Sequence, residues 1–226
     1  LAVGASEKNT LNLDGKEAYD GLEFLEDFNE TQGHVNLGKN VAVIGGGNTA
    51  MDVARASKRD EGVEKVSLVY RRTKRYMPAD EEELLLVIED GIEFAELLSP
   101  VKMEDGELIC KKMKLGDYDA TGRRSVHETD ETVSVPADTV ISAVGEKVPG
   151  KFYKKNNIEL NERGRVLVNQ ETMETSVPGV YVAGDCVYGP ATIVEGIRDG
   201  KLAAEAILGR KFDHSFATMT DRKSVV

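Results

Sequence analysis

Apolar residues recur along this chain at two periods, and the two periods predict different elements. Val41-Ala42-Val43-Ile44 and Val66-Ser67-Leu68-Val69-Tyr70 are short, nearly continuous apolar runs, as expected of strands buried on both faces of a parallel sheet. Between them, residues 49–58 place Ala50, Val53, Ala54 and Ser57 on one side at helical spacing. Further helices are predicted over Ala18–Glu30 and over Ala79–Asp90, the latter between Pro78 and Gly91. A long helix is expected at Ala191–Leu208, burying Ile193, Ile197, Ala203, Ala204 and Ile207. Leu1–Ala5, Ile92–Leu97, Asp138–Gly145, Arg165–Val168 and Val177–Asp185 read as strands. Glu107–Leu115 and Ser125–Val135 read as an antiparallel hairpin or meander with a polar connection, Gly116–Arg124. Residues 6–15 read as a polar loop, 33–40 as a linker, and the tail after Arg210 as frayed. The sum is an α/β fold: a parallel sheet with an inserted antiparallel β-meander.

The first apolar run stops at Gly45-Gly46-Gly47-Asn48-Thr49-Ala50, and a helical pattern begins at once. A strand, a tight turn and a helix N-terminus in that order bring bare backbone N–H groups up to a diphosphate, with the helix dipole favouring the negative charge. Gly45 allows the turn, Gly47 has no Cβ to block a pyrophosphate, and Ala50 lets the helix approach the strand. The spacing G-x-G-x-x-A is an accepted form of the Rossmann-like dinucleotide fingerprint. A bare match is also what a ligand-free glycine turn would give, but here both flanking strands are in place. A Walker loop is excluded, because Gly47 is followed by Asn48-Thr49 and not by Lys-Ser/Thr. The strand ending at Gly145 is expected beside the glycine turn, at the carboxyl edge of the sheet. The second run ends at Tyr70-Arg71-Arg72, with Lys74 and Arg75 just beyond and no acid at the tip. A carboxylate there would bind the ribose of NAD, whereas arginine accommodates the 2′-phosphate, so NADP(H) is preferred over a merely solvated basic loop.

Composition narrows the partners. The chain has 226 residues and a formal charge of −11, which argues against nonspecific binding to nucleic acid or anionic lipid. Cys110 and Cys186 stand far apart and cannot by themselves build a metal or iron–sulfur site, so no metal is expected and both read as reduced thiols of a cytoplasmic protein. No run is apolar enough to span a bilayer as a helix, and no signal peptide is expected. His34, His127 and His214 show no ligand spacing and read as surface residues. Opening on Leu1 without methionine, the chain reads as a piece of a longer polypeptide.

Gly179-Val180-Tyr181-Val182-Ala183-Gly184-Asp185, taken with Gly45–Asp52, Tyr70-Arg71-Arg72, Met77-Pro78-Ala79 and Ala143-Val144-Gly145, resembles the two-dinucleotide-domain flavoprotein reductases of the pyridine nucleotide-disulfide oxidoreductase type. The branch it resembles most holds the glutamate synthase small subunit, dihydropyrimidine dehydrogenase and a selenate reductase flavoprotein subunit. The resemblance implies an FAD domain interrupted by an NAD(P)H domain. Residues 1–32 would be the tail of the first FAD segment and a linker, 33–145 the NAD(P)H domain, 146–210 the returning FAD segment and 211–226 a flexible tail. It implies that Gly45, Gly46, Gly47, Asn48, Thr49 and Ala50 hold the diphosphate and that Arg71 and Arg72 hold the adenosine phosphate. Ala143, Val144 and Gly145 would flank the nicotinamide. Gly184 and Asp185 would meet the flavin's ribityl–phosphate region, and Ala191 and Thr192 its ring. A Gly-Asp strand end is also a common structural turn.

The family's first glycine fingerprint and its cysteine-rich iron–sulfur region do not occur in this sequence, so an incomplete FAD domain is expected of it. FAD and iron–sulfur clusters are therefore expected of the parent protein, with the missing regions and a larger catalytic subunit as partners. The implied activity is hydride transfer from NADPH to FAD, with electrons passed on to iron–sulfur clusters and no catalytic acid or base. A non-catalytic NADP(H)-binding module, for sensing or assembly, is the alternative. Glu82 and Glu83 fit a solvated helix face, and Cys186, without a partner cysteine, a buried small residue.

Overall fold

The computed structural model describes residues 1–5, 7–14, 16–118, 124–162 and 164–211. Part of the polar loop, most of the Gly116–Arg124 connection, His214 and the tail lie outside the described residues. In chain order the first elements are β1 Glu7–Lys8, β2 Asn12–Leu13, β3 Lys16–Glu17, β4 Tyr19–Asp20, α1 Gly21–Thr31, β5 Asn40–Ile44, α2 Asn48–Arg59 and β6 Lys65–Tyr70. Then come α3 Glu81–Glu89, β7 Glu93–Glu96, β8 Leu98–Glu104, β9 Glu107–Tyr118, β10 Arg124–Pro136 and β11 Thr139–Ser142. The last are β12 Glu146–Lys147, α4 Gly150–Lys155, α5 Asp185–Tyr188 and α6 Ile193–Leu208. The chain forms two compact units: Asn9–Gly145, and Leu1–Lys8 together with the chain from Glu146.

The Asn9–Gly145 unit is built on a five-stranded sheet of order β4-β11-β5-β6-β7, parallel throughout. Alternation along its strands explains the continuous apolar runs, since the central strands β11, β5 and β6 are buried on both faces. Val41, Val43, Val66, Leu68 and Ile141 pack with Phe24 of α1, Ala50, Met51, Val53 and Ala54 of α2 and Val87 of α3. Ala42, Ile44, Val69 and Val140 face the other way, onto Leu98, Leu108, Cys110 and Val135 of the antiparallel β8-β9-β10 meander. Helices thus cover one face and the meander the other. Asp20 caps α1 by accepting from Leu22 N and Glu23 N at 3.1 Å. Buried Asp60, at the end of α2, accepts from Val35 N at 2.8 Å and Leu37 N at 3.4 Å, which fixes the entry into β5.

Residues 9–32, read from the sequence as tail and linker, cluster with this unit. β4 pairs with β11, and Phe24 of α1 is fully buried in the helix-face core. β8 extends the hairpin to three strands and was not expected. Its Pro100 is tolerated because β8 lies at the sheet edge, with a register shift between Pro100 and Lys102.

The other unit departs more from expectation. Leu1–Ala5 forms no strand, although Ala183 N donates to Leu1 O at 3.1 Å. Arg165–Val168 and Val177–Asp185 make only isolated bridges, Leu160 with Val166, Val168 with Thr175 and Glu174 with Tyr181, and Asp185 opens α5. Ala5, Val148, Tyr153, Ile158, Val166, Val182, Cys186 and Val187 form its core. α6 buries Asp199 and Ala203, half-buries Ala204 and leaves Ile193, Ile197 and Ile207 exposed, so the alanines of the predicted face are packed and its isoleucines are not. The cause is rotational: Asp199 lies roughly a third of a turn from the Ile193–Ile197 stripe and is held by its own hydrogen bonds. Among the described residues no helix is long and apolar enough to cross a membrane.

Candidate functional site

Three successive glycines carry β5 into α2, and each meets different surroundings. Gly45 N donates to Val69 O at 3.2 Å. A Cβ on Gly45 would stand 2.4 Å from Ala143 O and 2.9 Å from the Ala50 Cβ, so the end of β11 and the first turn of α2 close on it. A Cβ on Gly46 would lie 2.6 Å from the Tyr70 ring. A Cβ on Gly47 would meet nothing within 4 Å. Packing requires the first two glycines, whereas the third borders open space. Gly47 is the N-cap of α2 and contributes no side-chain cap. Ala50 N and Met51 N donate to Gly47 O at 2.9 and 3.2 Å, whereas helix geometry gives the N–H groups of Asn48 and Thr49 no intrahelical acceptor, and no acidic side chain of that turn supplies one. An open, uncapped helix start is what a diphosphate needs.

The loop after β6 is strapped to this turn. Ala79 N donates to Gly46 O at 3.1 Å, and Tyr70 Oη donates to Tyr76 O at 3.0 Å. Asp80 N donates to Asn48 Oδ1 and Asn48 Nδ2 donates to Asp80 Oδ2, each at 2.9 Å. The Asn48 side chain is therefore committed to Asp80, and of its polar groups only the backbone N–H stays with the open helix start. Thr49 is half-buried and Ala50 fully buried. Met77-Pro78-Ala79, singled out in the sequence, is the strap itself. Glu83 is partly buried and pairs with Arg55 at 3.7 Å, and Glu82 is exposed.

At the far side of the strap, Arg71 is exposed and Arg72 half-buried. Arg72 Nε donates to Arg124 O at 2.9 Å, and Arg72 O accepts from Leu97 N at 3.2 Å. Lys74 N donates to Glu96 Oε1 at 2.7 Å, and its ammonium lies 5.4 Å from the centre of the Phe94 ring. Tyr118 is hydrogen-bonded by Tyr76, which, with Arg124, draws its phenol below the usual range. Ala143 N donates to Ile44 O at 2.8 Å, placing Ala143 beside Gly45, with Val144 and Gly145 exposed after it.

The remaining candidates lie in the other unit. Gly184 has φ +75° and donates to Asp199 Oδ2 at 3.2 Å. Asp199 is fully buried, accepts from Arg198 at 2.8 and 3.0 Å, and was not foreseen: its helix reads as an apolar stripe, and nothing in that pattern marks an acid as buried. Asp185 Oδ1 accepts from Ala191 N at 3.1 Å. Thr192 forms a capping box with Glu195 at the start of α6, so its hydroxyl serves the helix. Both cysteines are buried, and burial pushes the Cys110 thiol up to about 12. His34 lies exposed against Glu61 at 2.6 Å, and His127 is exposed.

Residues 1–200 match the family described as pyridine nucleotide-disulphide oxidoreductase. The chain is 37% identical over 214 residues to YgfK of Escherichia coli K12, covering 93% of this chain and 20% of YgfK. It is 33% identical over 233 residues to the glutamate synthase [NADPH] small chain of the same organism, covering 92% of this chain and 49% of that one. A solved structure of Mycobacterium tuberculosis FprA in complex with NADPH superposes with a TM-score of 0.68 at 19% identity, covering 97% of this chain and 67% of FprA, which shows a shared fold. The chain spans a fifth to about half the length of these two curated relatives.

Proposed function

This chain belongs to the pyridine nucleotide-disulphide oxidoreductase family, and we propose that its Asn9–Gly145 unit is the NADP(H)-binding part of a flavoprotein oxidoreductase resembling the glutamate synthase small subunit. The observation that carries the reading is the open space before Gly47, at an uncapped α2 start, beside a basic loop. The backbone N–H groups of Asn48 and Thr49 would bind the diphosphate there. Gly45 and Gly46 shape the turn, Ala50 lets α2 close on it, and Ala143-Val144-Gly145 would line the nicotinamide side. Arg71, at the end of β6, would bind the 2′-phosphate.

Gly184, Asp185, Ala191 and Thr192 would contribute to an FAD site completed by further parts of the protein, with Asp185 offering its carboxylate and Thr192 acting as the cap that sets the start of α6. The bound cofactors would supply the chemistry, hydride transfer from NADPH to FAD with electrons passed to iron–sulfur clusters and a larger catalytic subunit. The chain's own task is to bind and orient, and no side-chain acid or base is assigned.

Anaerobic addition of NADPH to the full-length protein tests the redox reading. Loss of the visible flavin absorbance on mixing supports it. A bound flavin that NADPH leaves oxidised would favour a module that binds the nucleotide without reducing anything.

A further inference from the structure

We propose that Arg72 is a positioning residue, anchoring the basic loop to the antiparallel meander, and that discrimination for the 2′-phosphate rests on its neighbour Arg71. The inference deepens the NADP(H) reading and depends on it.

The two arginines are adjacent in sequence but differ in what they touch. Arg71 is exposed, and no hydrogen bond or ion pair engages it among the described residues. Arg72 is half-buried and pinned twice: its Nε donates to Arg124 O at 2.9 Å, and its carbonyl accepts from Leu97 N at 3.2 Å, at the junction of β7 and β8. The acceptor is itself fixed. Arg124 bonds through its guanidinium to Gly116 O and, at 3.4 Å, to Leu115 O, and its Cζ stacks 5.2 Å from the Tyr118 ring centre. Arg72 therefore ties the loop after β6 to the paired ends of β9 and β10.

Guanidinium binds phosphate most strongly as a two-pronged fork, and one of its edges uses Nε. Spending Nε on a peptide carbonyl removes that edge. A contact to a neutral carbonyl also needs only a donor, not a charge. Glutamine places its amide nitrogen the same number of bonds from Cα as the arginine Nε. Arg72→Gln can therefore keep the anchor while deleting the charge, which separates the two roles.

The test is titration of the chain with NADPH and NADH, for wild type and for Arg71→Ala, Arg72→Ala and Arg72→Gln, with the melting temperature of each variant as a check on folding. Arg71→Ala should lower the preference for NADPH over NADH about tenfold or more, the size of a lost charge-assisted contact. Arg72→Ala should weaken both nucleotides by a similar factor, roughly three to ten, and leave their ratio within about twofold. Arg72→Gln should restore both affinities. Selective loss of NADPH in Arg72→Gln, no effect of Arg72→Ala on either nucleotide, or an unchanged ratio in Arg71→Ala would each overturn the inference. A wild-type chain that binds neither nucleotide, or prefers NADH, would instead defeat the NADP(H) reading beneath it.

Discussion

Asn48 and Asp80 hold each other through two hydrogen bonds of 2.9 Å, one from the Asn48 amide to the Asp80 carboxylate and one from the Asp80 backbone to the Asn48 carbonyl oxygen. Asn48 opens α2 and Asp80 immediately precedes α3, its carboxylate turned to Asn48 and not to the helix, so the pair sets the glycine turn against the strap that follows β6. Asn48→Ala or Asp80→Ala should cost about 1 kcal/mol of stability and weaken NADPH binding several-fold, because the first turn of α2 loses its support. Unfolding in urea and a nucleotide titration check the two parts separately. Unchanged affinity in both variants would assign the pair to stability alone.

The three glycines should separate folding from binding. Gly46→Ala drives a Cβ into the Tyr70 ring and should destabilise the chain by about 1–3 kcal/mol. Gly47→Ala meets no protein atom, so it should leave the melting temperature nearly unchanged while reducing NADPH affinity by an order of magnitude or so. Equal effects of the two substitutions on folding would contradict the open space assigned to Gly47.

Asp90 gives a pH-dependent prediction. Hydrogen bonds from Arg59 and Arg55 hold its carboxyl below the usual carboxylate range. A depressed folded-state value means that the stabilisation is present above the unfolded value, about 4, and is lost as pH falls through the folded value. Asp90→Asn should therefore be less stable than wild type by about 1 kcal/mol at neutral pH, with the gap closing below roughly pH 4. Urea unfolding of both proteins across that range reads it directly, and a gap that persists in acid would refute the ion-pair origin.

Buried Asp199 should matter for the Gly184 turn. Asp199→Ala strands the Gly184 N–H and removes the carboxylate that holds Arg198, and should cost about 1–3 kcal/mol, whereas Asp199→Asn retains an acceptor and should cost less. Thermal melts of the two variants compare them, and equal losses would mean that the carboxylate charge, not the acceptor, is what the turn requires.

Much of the Asn9–Gly145 unit was legible in the sequence because its signals are local. The β5–α2–β6 segment combines two apolar runs, a glycine cluster and a helical period, and each appears within a residue or so of its predicted place. Tertiary partners were not legible. Nothing near Gly46 announces Tyr70, nothing near Arg72 announces the Arg124 carbonyl, and nothing near Asn48 announces the Asp80 carboxylate that takes its side-chain amide. Apolar runs at Arg165–Val168 and Val177–Asp185 reflect core burial of Val166 and Val182, which a bridged loop achieves without a ladder. On α6, periodicity identified an apolar stripe, but a buried carboxylate with three hydrogen bonds decides which side faces inward.

The most direct test of the central claim is titration of the chain with NADPH and NADH side by side, by calorimetry or by fluorescence. Saturable binding of NADPH, clearly tighter than that of NADH, is the predicted result. Tighter binding of NADH would contradict the phosphate role of the basic loop, and binding of neither would contradict the assignment of the Gly45–Ala50 turn as a nucleotide site.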